Sequence, residues 1–291
     1  MVDPAETCAT RRRGAERHAL HIAHWILRLN RWGAVFVILM LLTACAPREN
    51  SERPELVVFA AASLTEAFSE IGEAFGAQNA TVVTFNFAGS QTLAGQLVSG
   101  APADVFASAN DRQMQAVINA GQIGPSAARP FATNRLVIVT PRENPGAVNA
   151  PSDLSTPGLR IVLADAAVPV GQYSLQFLAN ASVDPAYTAS FSPTVLSNVV
   201  SYEENVRAVL TKVVLGEADA GIVYSSDVTG QQRDQVRVID IPDAINVVAI
   251  YPIAPVVDST QSALAQAFVD FVLSPTGQSI LERYGFQRVE P

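Results

Sequence analysis

Seven short apolar runs rich in β-formers, at residues 56–60, 81–87, 104–108, 136–140, 160–164, 220–224 and 236–240, alternate with stretches whose apolar residues recur at helical spacing. This alternation constrains the chain more than any other feature. Strands separated by helices must cross over to pair, so βαβ units and a mostly parallel sheet, or two of them, are expected. The fold class is α/β. A length of 291 residues suits one large domain or two ordinary ones. The Pro- and Asn-rich segment 141–157, after the run 136–140, reads as one crossing between two lobes, and the run 247–253 reads as the return. Lobe 1 is then expected at 55–135 and 249–291, and lobe 2 at 136–248. The last helical pattern, 260–273, spaces Leu264, Ala267, Phe268 and Phe271 as a core-packing face.

Residues 1–45 read differently. Arg11, Arg12, Arg13, Arg17, Arg28 and Arg31 precede an apolar stretch at 34–42, and Thr43, Ala44 and Cys45 follow it. A basic segment, a short apolar core and a small-residue cleavage site describe a secretory signal. The core falls short of the roughly 20 residues that a membrane span requires. Leu42, Thr43, Ala44 and Cys45 resemble a lipobox, whose Cys becomes the lipid-modified N-terminus; a signal anchor with an incidental Cys is the plainer alternative. Cleavage there leaves a polar, Pro-flanked tether at 46–54 and an exported domain held at the membrane by its lipid. That remainder carries 13 Lys and Arg against 24 Asp and Glu. His18, His21 and His24, all the histidines of the chain, lie in the leader with Cys8. The exported part therefore excludes disulfides, His- or Cys-ligated metal, and a Ser-His-Asp nucleophile. Its acidic, Lys-poor composition argues against nucleic acid as a partner.

Three strand-to-helix junctions share one composition. Ala60, Ala61 and Ala62 precede Ser63, after which Leu64, Phe68, Ile71 and Phe75 form one apolar helix face; Ser63 with Glu66 reads locally as a capping box. Ala88, Gly89 and Ser90 precede a helix from about Gln91 with Leu93 and Leu97 inward. Val168, Pro169, Val170 and Gly171 precede a helix from Gln172. Small residues let a ligand approach the main chain, and helix N-termini present unpaired N–H groups at the positive end of the helix dipole. At the carboxyl ends of parallel strands such turns face one crevice. Two of them carrying Ser, in an exported protein without catalytic apparatus, point to anion binding. The segment 201–227, SYEENVRAVLTKVVLGEADAGIVYSSD, is more specific. Glu204 and Asn205 open a helix with Val206, Val209, Leu210 and Val213 inward, Gly216 closes it, and a strand delivers Tyr224. Tyr224 reads alternatively as a strand-end aromatic on a lobe surface. Val206 reads as a core side chain of which only the N–H is functional.

The strings VFAAASLTEAF, FAGSQTLAGQL, GAPADVFASAN, VPVGQYSLQFL, ENVRAVLTKVVLGEADAGIVYSSD and a terminal YGF closely resemble the molybdate-binding proteins of ABC transporters, the ModA family, from about residue 56 to residue 286. The resemblance implies a type 2 periplasmic-binding-protein fold, two α/β lobes with a ligand cleft between them. It also implies ligand contacts at Ser63, Ser90, Val170, Val206 and Tyr224. Position 170 is often Ala in the family, so Val170 brings a bulkier side chain to the cleft. Any metal is bound only as the molybdate or tungstate oxyanion through these residues, and no cofactor is expected.

The resulting expectation is an exported, lipid-anchored solute-binding lipoprotein on the periplasmic or extracellular face. It captures molybdate, and tungstate with it, and delivers the anion to an ABC transporter permease and its cytoplasmic ATPase; a monomer is expected. A receptor for sulfate or another tetrahedral oxyanion is the alternative. An enzyme using Ser63 or Ser90 as nucleophile is disfavoured by the missing His, and a sensor for a membrane signalling partner would need an output elsewhere. With no Lys or Arg at the five contact positions, nothing in the site is expected to titrate near neutrality.

Overall fold

The computed structural model describes residues 53–289. Nine strands form one continuous ladder in the order β2-β1-β3-β9-β4-β7-β5-β6, with β8 also paired to β4. The first part is built from β1 (Glu55–Ala61), β2 (Val82–Ala88) and β3 (Val105–Ala107), linked by helices α1 (Thr65–Asn79) and α2 (Ser90–Val98). Helix α3 (Asp111–Asn119) then leads into the long strand β4 (Arg129–Pro141). The second part holds β5 (Ile161–Ala164), α4 (Pro169–Val183), α5 (Phe191–Ser197), β6 (Val199–Glu203), α6 (Val206–Val214), β7 (Ala220–Tyr224) and β8 (Val236–Asp240). Strand β9 (Val248–Pro255) and helices α7 (Ser262–Leu273) and α8 (Pro275–Arg283) complete the chain.

The sheet is less parallel than its strand–helix rhythm suggests. β1 pairs in parallel with β2 and β3, and β5 does so with β6 and β7. The remaining pairings, β3 with β9 and β4 with β7, β8 and β9, are antiparallel. The physical reason lies in β4 and β9, which run side by side in opposite directions. Residues 129–135 of β4 pair with β9, and residues 136–141 pair with β7 and β8. The change of partner therefore falls inside a single 13-residue strand, not in the Pro-rich segment that follows it.

Helices α1, α2 and α6 dock through the apolar faces their spacing prescribes. Phe68, Ile71 and Phe75 of α1 are buried, and their rings meet Phe131 and Phe268 at 5.6 and 5.3 Å. Burying each of these large side chains contributes roughly 1.5–3 kcal/mol. Leu93 and Leu97 of α2 pack with Phe59, Phe106, Met114 and Val117 on the other face of the sheet. In α6, Val206, Val209, Leu210 and Val213 are all buried, and Gly216 ends the helix with φ +72°, where glycine alone escapes a Cβ penalty. A Cβ on Gly221 would lie 2.9 Å from Val209, so a bare backbone at that point of β7 lets α6 sit close. Helix α7 differs from its expected face: Ala265, Phe268, Val269 and Val272 are buried, whereas Leu264, Ala267 and Phe271 pack at its margin. Strand β6 lies within a stretch that sequence reading treated only as an approach to α6.

Among the described residues, no helix is long and apolar enough to cross a membrane. Cys45, the apolar stretch at 34–42 and the lipobox lie outside the described residues.

Candidate anion-binding site

Four chain turns converge on one small pocket. It is lined by Ala61, Ala62 and Ser63, by Gly89 and Ser90, by Val168, Pro169 and Val170, and by Asn205 and Val206, with Ala109 and Tyr224 closing the wall. Ser63, Ser90, Val170, Val206 and Tyr224, scattered over more than 160 positions of sequence, thus line a single cavity. Its empty volume is about 220 Å³. That figure takes in solvent at the open mouth, and the site itself is sized for a small ion, not a drug-sized ligand.

The helix starts supply the donors. Helix α2 begins at Ser90 itself, and α4 begins at Pro169 rather than near Gln172. Pro169 occupies a first-turn position and has no N–H, so Val170 carries the first peptide donor of that helix. Asn205 caps α6 through its side chain, which accepts from the Ala208 N–H at 3.0 Å. The cap is spent on Ala208, leaving the first-turn N–H of Val206 without an intrahelical partner. The Val206 and Val170 side chains are both buried, so these residues reach the pocket as wall and backbone.

Ser63 does not form the capping box its sequence suggests. A 3-10 turn, Ala62–Leu64, intervenes before α1 starts at Thr65, and no side chain caps either element. Thr65 donates instead to the Ala62 carbonyl at 2.7 Å, and Glu66 turns away to pair with Arg207. The Ser63 hydroxyl is 3.0 Å from the phenol oxygen of Tyr251 on β9. Ser90 is held differently: its Oγ accepts from the Ala109 N–H at 3.0 Å, so its own O–H remains to be donated. The Tyr224 hydroxyl is buried and has no partner. A buried, unpaired donor costs about 1–3 kcal/mol, which makes this phenol a group waiting for an acceptor. Burial, with Tyr251 beside it, pushes its pKa well above the ordinary range, so it stays a neutral donor.

No Lys or Arg lines the pocket. Arg207, next to Val206, points its guanidinium at Glu66 and at the Ala62 carbonyl. One titratable group lies close by, outside the five expected contact positions and the pocket lining. Asp227 is buried three residues after Tyr224, accepts the Tyr224 N–H at 3.0 Å through Oδ2, and leaves Oδ1 unpartnered. Burial holds its carboxyl up to about 7, against the opposing pull of Arg207 and of that N–H. Sequence reasoning also missed Tyr251 and Asn134, which come from the long strands β9 and β4 with no local motif to mark them. Among the described residues no cluster of His, Cys, Asp and Glu could hold a metal ion.

Polar contacts join opposite walls of the pocket mouth. Gln91 donates to the Glu204 carbonyl at 2.8 Å, Asn110 to Gln172 at 3.1 Å, and Gln113 to the Ala167 carbonyl at 3.0 Å. A Cβ on Gly89 would lie 2.6 Å from the Glu204 carbonyl oxygen, so only glycine allows this approach.

A small pocket of neutral donors, set among helix starts in a two-lobed α/β protein, defines a solute receptor. The sequence pattern of the bacterial extracellular solute-binding proteins matches residues 56–287. The chain belongs to that family, and within it to the ModA family. It is 40% identical over 256 residues to the molybdate-binding protein ModA of Mycobacterium tuberculosis, covering 85% of this chain and 93% of that one. Its identity to ModA of Escherichia coli is 31% over 264 residues, covering 88% and 98% of the two chains. Among solved structures, the substrate-binding domain of a putative molybdenum ABC transporter from Clostridium difficile superposes with a TM-score of 0.61 at 30% identity, covering 81% of this chain and 99% of that one.

Proposed function

We propose that this protein is an extracytoplasmic, lipid-anchored receptor that captures molybdate, and tungstate equally well, and hands it to an ABC permease driven by a cytoplasmic ATPase. The anion sits among Ser63, Ser90, Val170, Val206 and Tyr224, with lobes 55–135 plus 249–291 and 136–248 closing over it. Cys45 is the lipidated N-terminus, and the receptor acts as a monomer. The observation that carries this reading is the buried, unpartnered Tyr224 hydroxyl in a pocket whose other polar groups are two serines, the capping Asn205 and helix N-termini. The names of the ModA relatives supply the identity of the anion.

The energetics are sufficient without a cationic side chain. Hydrogen bonds to a charged group contribute roughly 1.5–3 kcal/mol each, and each helix end adds about 0.3–1 kcal/mol. Five such donors exceed the roughly 8 kcal/mol that a micromolar dissociation constant requires, and the surplus offsets the cost of closing the lobes. A site made only of donors accepts a fully deprotonated dianion and leaves the hydroxyl of a protonated phosphate unpaired. Calorimetric titration of the purified protein with molybdate, tungstate, sulfate and phosphate tests the reading. Tight, comparable binding of molybdate and tungstate with weak sulfate is expected. Sulfate binding as tight as molybdate would overturn the assignment of the anion.

A further inference from the structure

The two serine hydroxyls of the pocket are each held from behind, and the donor behind Ser63 is itself held in place. Tyr251 is fully buried, and its ring is fixed edge-on by Tyr224, Phe131 and Phe286. Its hydroxyl makes two contacts of hydrogen-bond length, with Ser63 Oγ at 3.0 Å and the Asn134 side-chain nitrogen at 3.5 Å, and the Tyr224 hydroxyl lies near it. The orientation of the Asn134 amide is settled by its surroundings. Its Oδ1 accepts from the backbone N–H of Arg135 and from the Ser225 hydroxyl, both at 2.9 Å. A peptide N–H can only donate, so the oxygen must face it and the NH2 must face Ser226 and Tyr251. With one lone pair turned to that N–H donor, the Tyr251 phenol keeps its O–H free to donate to Ser63 across their 3.0 Å contact. In that arrangement Ser63 accepts one bond from behind, and its O–H is free to be donated into the pocket.

We propose that Tyr251, oriented by Asn134, is a positioning residue that biases Ser63 toward donating into the pocket and thereby strengthens the receptor's preference for oxyanions that carry no proton. Ser90 reaches the same polarity through the Ala109 N–H, which no side-chain substitution removes. Ser63 is the hydroxyl whose direction depends on side chains, so selectivity against a protonated anion depends on Tyr251. Without the phenol O–H, Ser63 is free to rotate and to accept from a ligand hydroxyl.

This inference rests on the proposed oxyanion site, and its test separates the two. Affinities for molybdate and for inorganic phosphate are measured on wild type, Tyr251→Phe and Asn134→Asp near pH 8, where phosphate is a dianion bearing one O–H. Tyr251→Phe keeps the ring contacts and should melt near the wild-type temperature. Its molybdate-to-phosphate affinity ratio should fall about tenfold, the effect of one hydrogen bond to a charged group. Asn134→Asp keeps the acceptor for Arg135 and removes the donor, which reverses the chain and turns a Ser63 lone pair toward the pocket. Its added charge weakens both anions alike, but the ratio should again fall. A merely structural role would weaken both ligands in proportion, and an unchanged ratio in Tyr251→Phe overturns the inference. A wild-type protein that binds no tetrahedral anion would instead refute the proposed function itself.

Discussion

The Tyr224 hydroxyl separates the demands of binding from those of folding within one atom. Without ligand it is a buried donor with no acceptor, so Tyr224→Phe should leave the ligand-free protein as stable as wild type or slightly more so. The same substitution should weaken molybdate binding by about 1–3 kcal/mol, which paired thermal melts and titrations would show. Asp227 makes the opposite kind of statement. Burial holds its folded-state carboxyl up to about 7 from an ordinary value of 3.8, so between those values the folded protein keeps a proton that the unfolded chain has released. Stability from this group is therefore present below about pH 4 and is lost as pH rises toward 7. Asp227→Asn should gain stability relative to wild type between about pH 5 and pH 8 in thermal melts. Ionised Asp227 also opposes a neighbouring dianion, so wild-type affinity should fall through that range where a pocket with nothing to titrate would give a flat profile. Asp227→Asn should restore the flat profile.

At the scale of elements, much was legible because helix and strand each impose a period. The strand 220–224 and the inward faces of α1, α2 and α6 follow directly from apolar spacing, and the small residues before Ser63 and Ser90 mark the turns that line the pocket. Asn205 shows why a cap is readable: its chemistry is local, and the Ala208 N–H it accepts lies three residues away. Asn205→Ala should cost about 0.5–2 kcal/mol of stability, measured by denaturant unfolding, and should weaken binding as the first turn of α6 frays. The Ser63–Glu66 pair shows the limit of local reading. Both side chains found distant partners, Tyr251 and Arg207, that no spacing within ten residues could announce. Antiparallel pairing of β4 and β9 was hidden for the same reason. It depends on where a strand goes, and periodicity reports only how its residues face.

At the scale of the whole molecule, the account requires walls that close over the anion. Gly89 stands where any side chain would strike the Glu204 carbonyl. Gly89→Ala should therefore hold the pocket open and cut affinity by at least tenfold, with little change in the melting temperature of the ligand-free protein. The Gln91, Asn110 and Gln113 contacts bridge the two walls of the pocket mouth, and the proposed closing of the lobes over ligand should compact the particle in solution scattering. The most direct measurement is a crystal structure of the tungstate complex, in which anomalous scattering from tungsten locates the anion independently of any assumption about the site. The account places tungsten between the Ser63, Ser90 and Tyr224 hydroxyls and the Val170 and Val206 N–H groups, with every oxygen accepting from a neutral donor. A tungsten peak elsewhere, or one held by an arginine side chain, would contradict it.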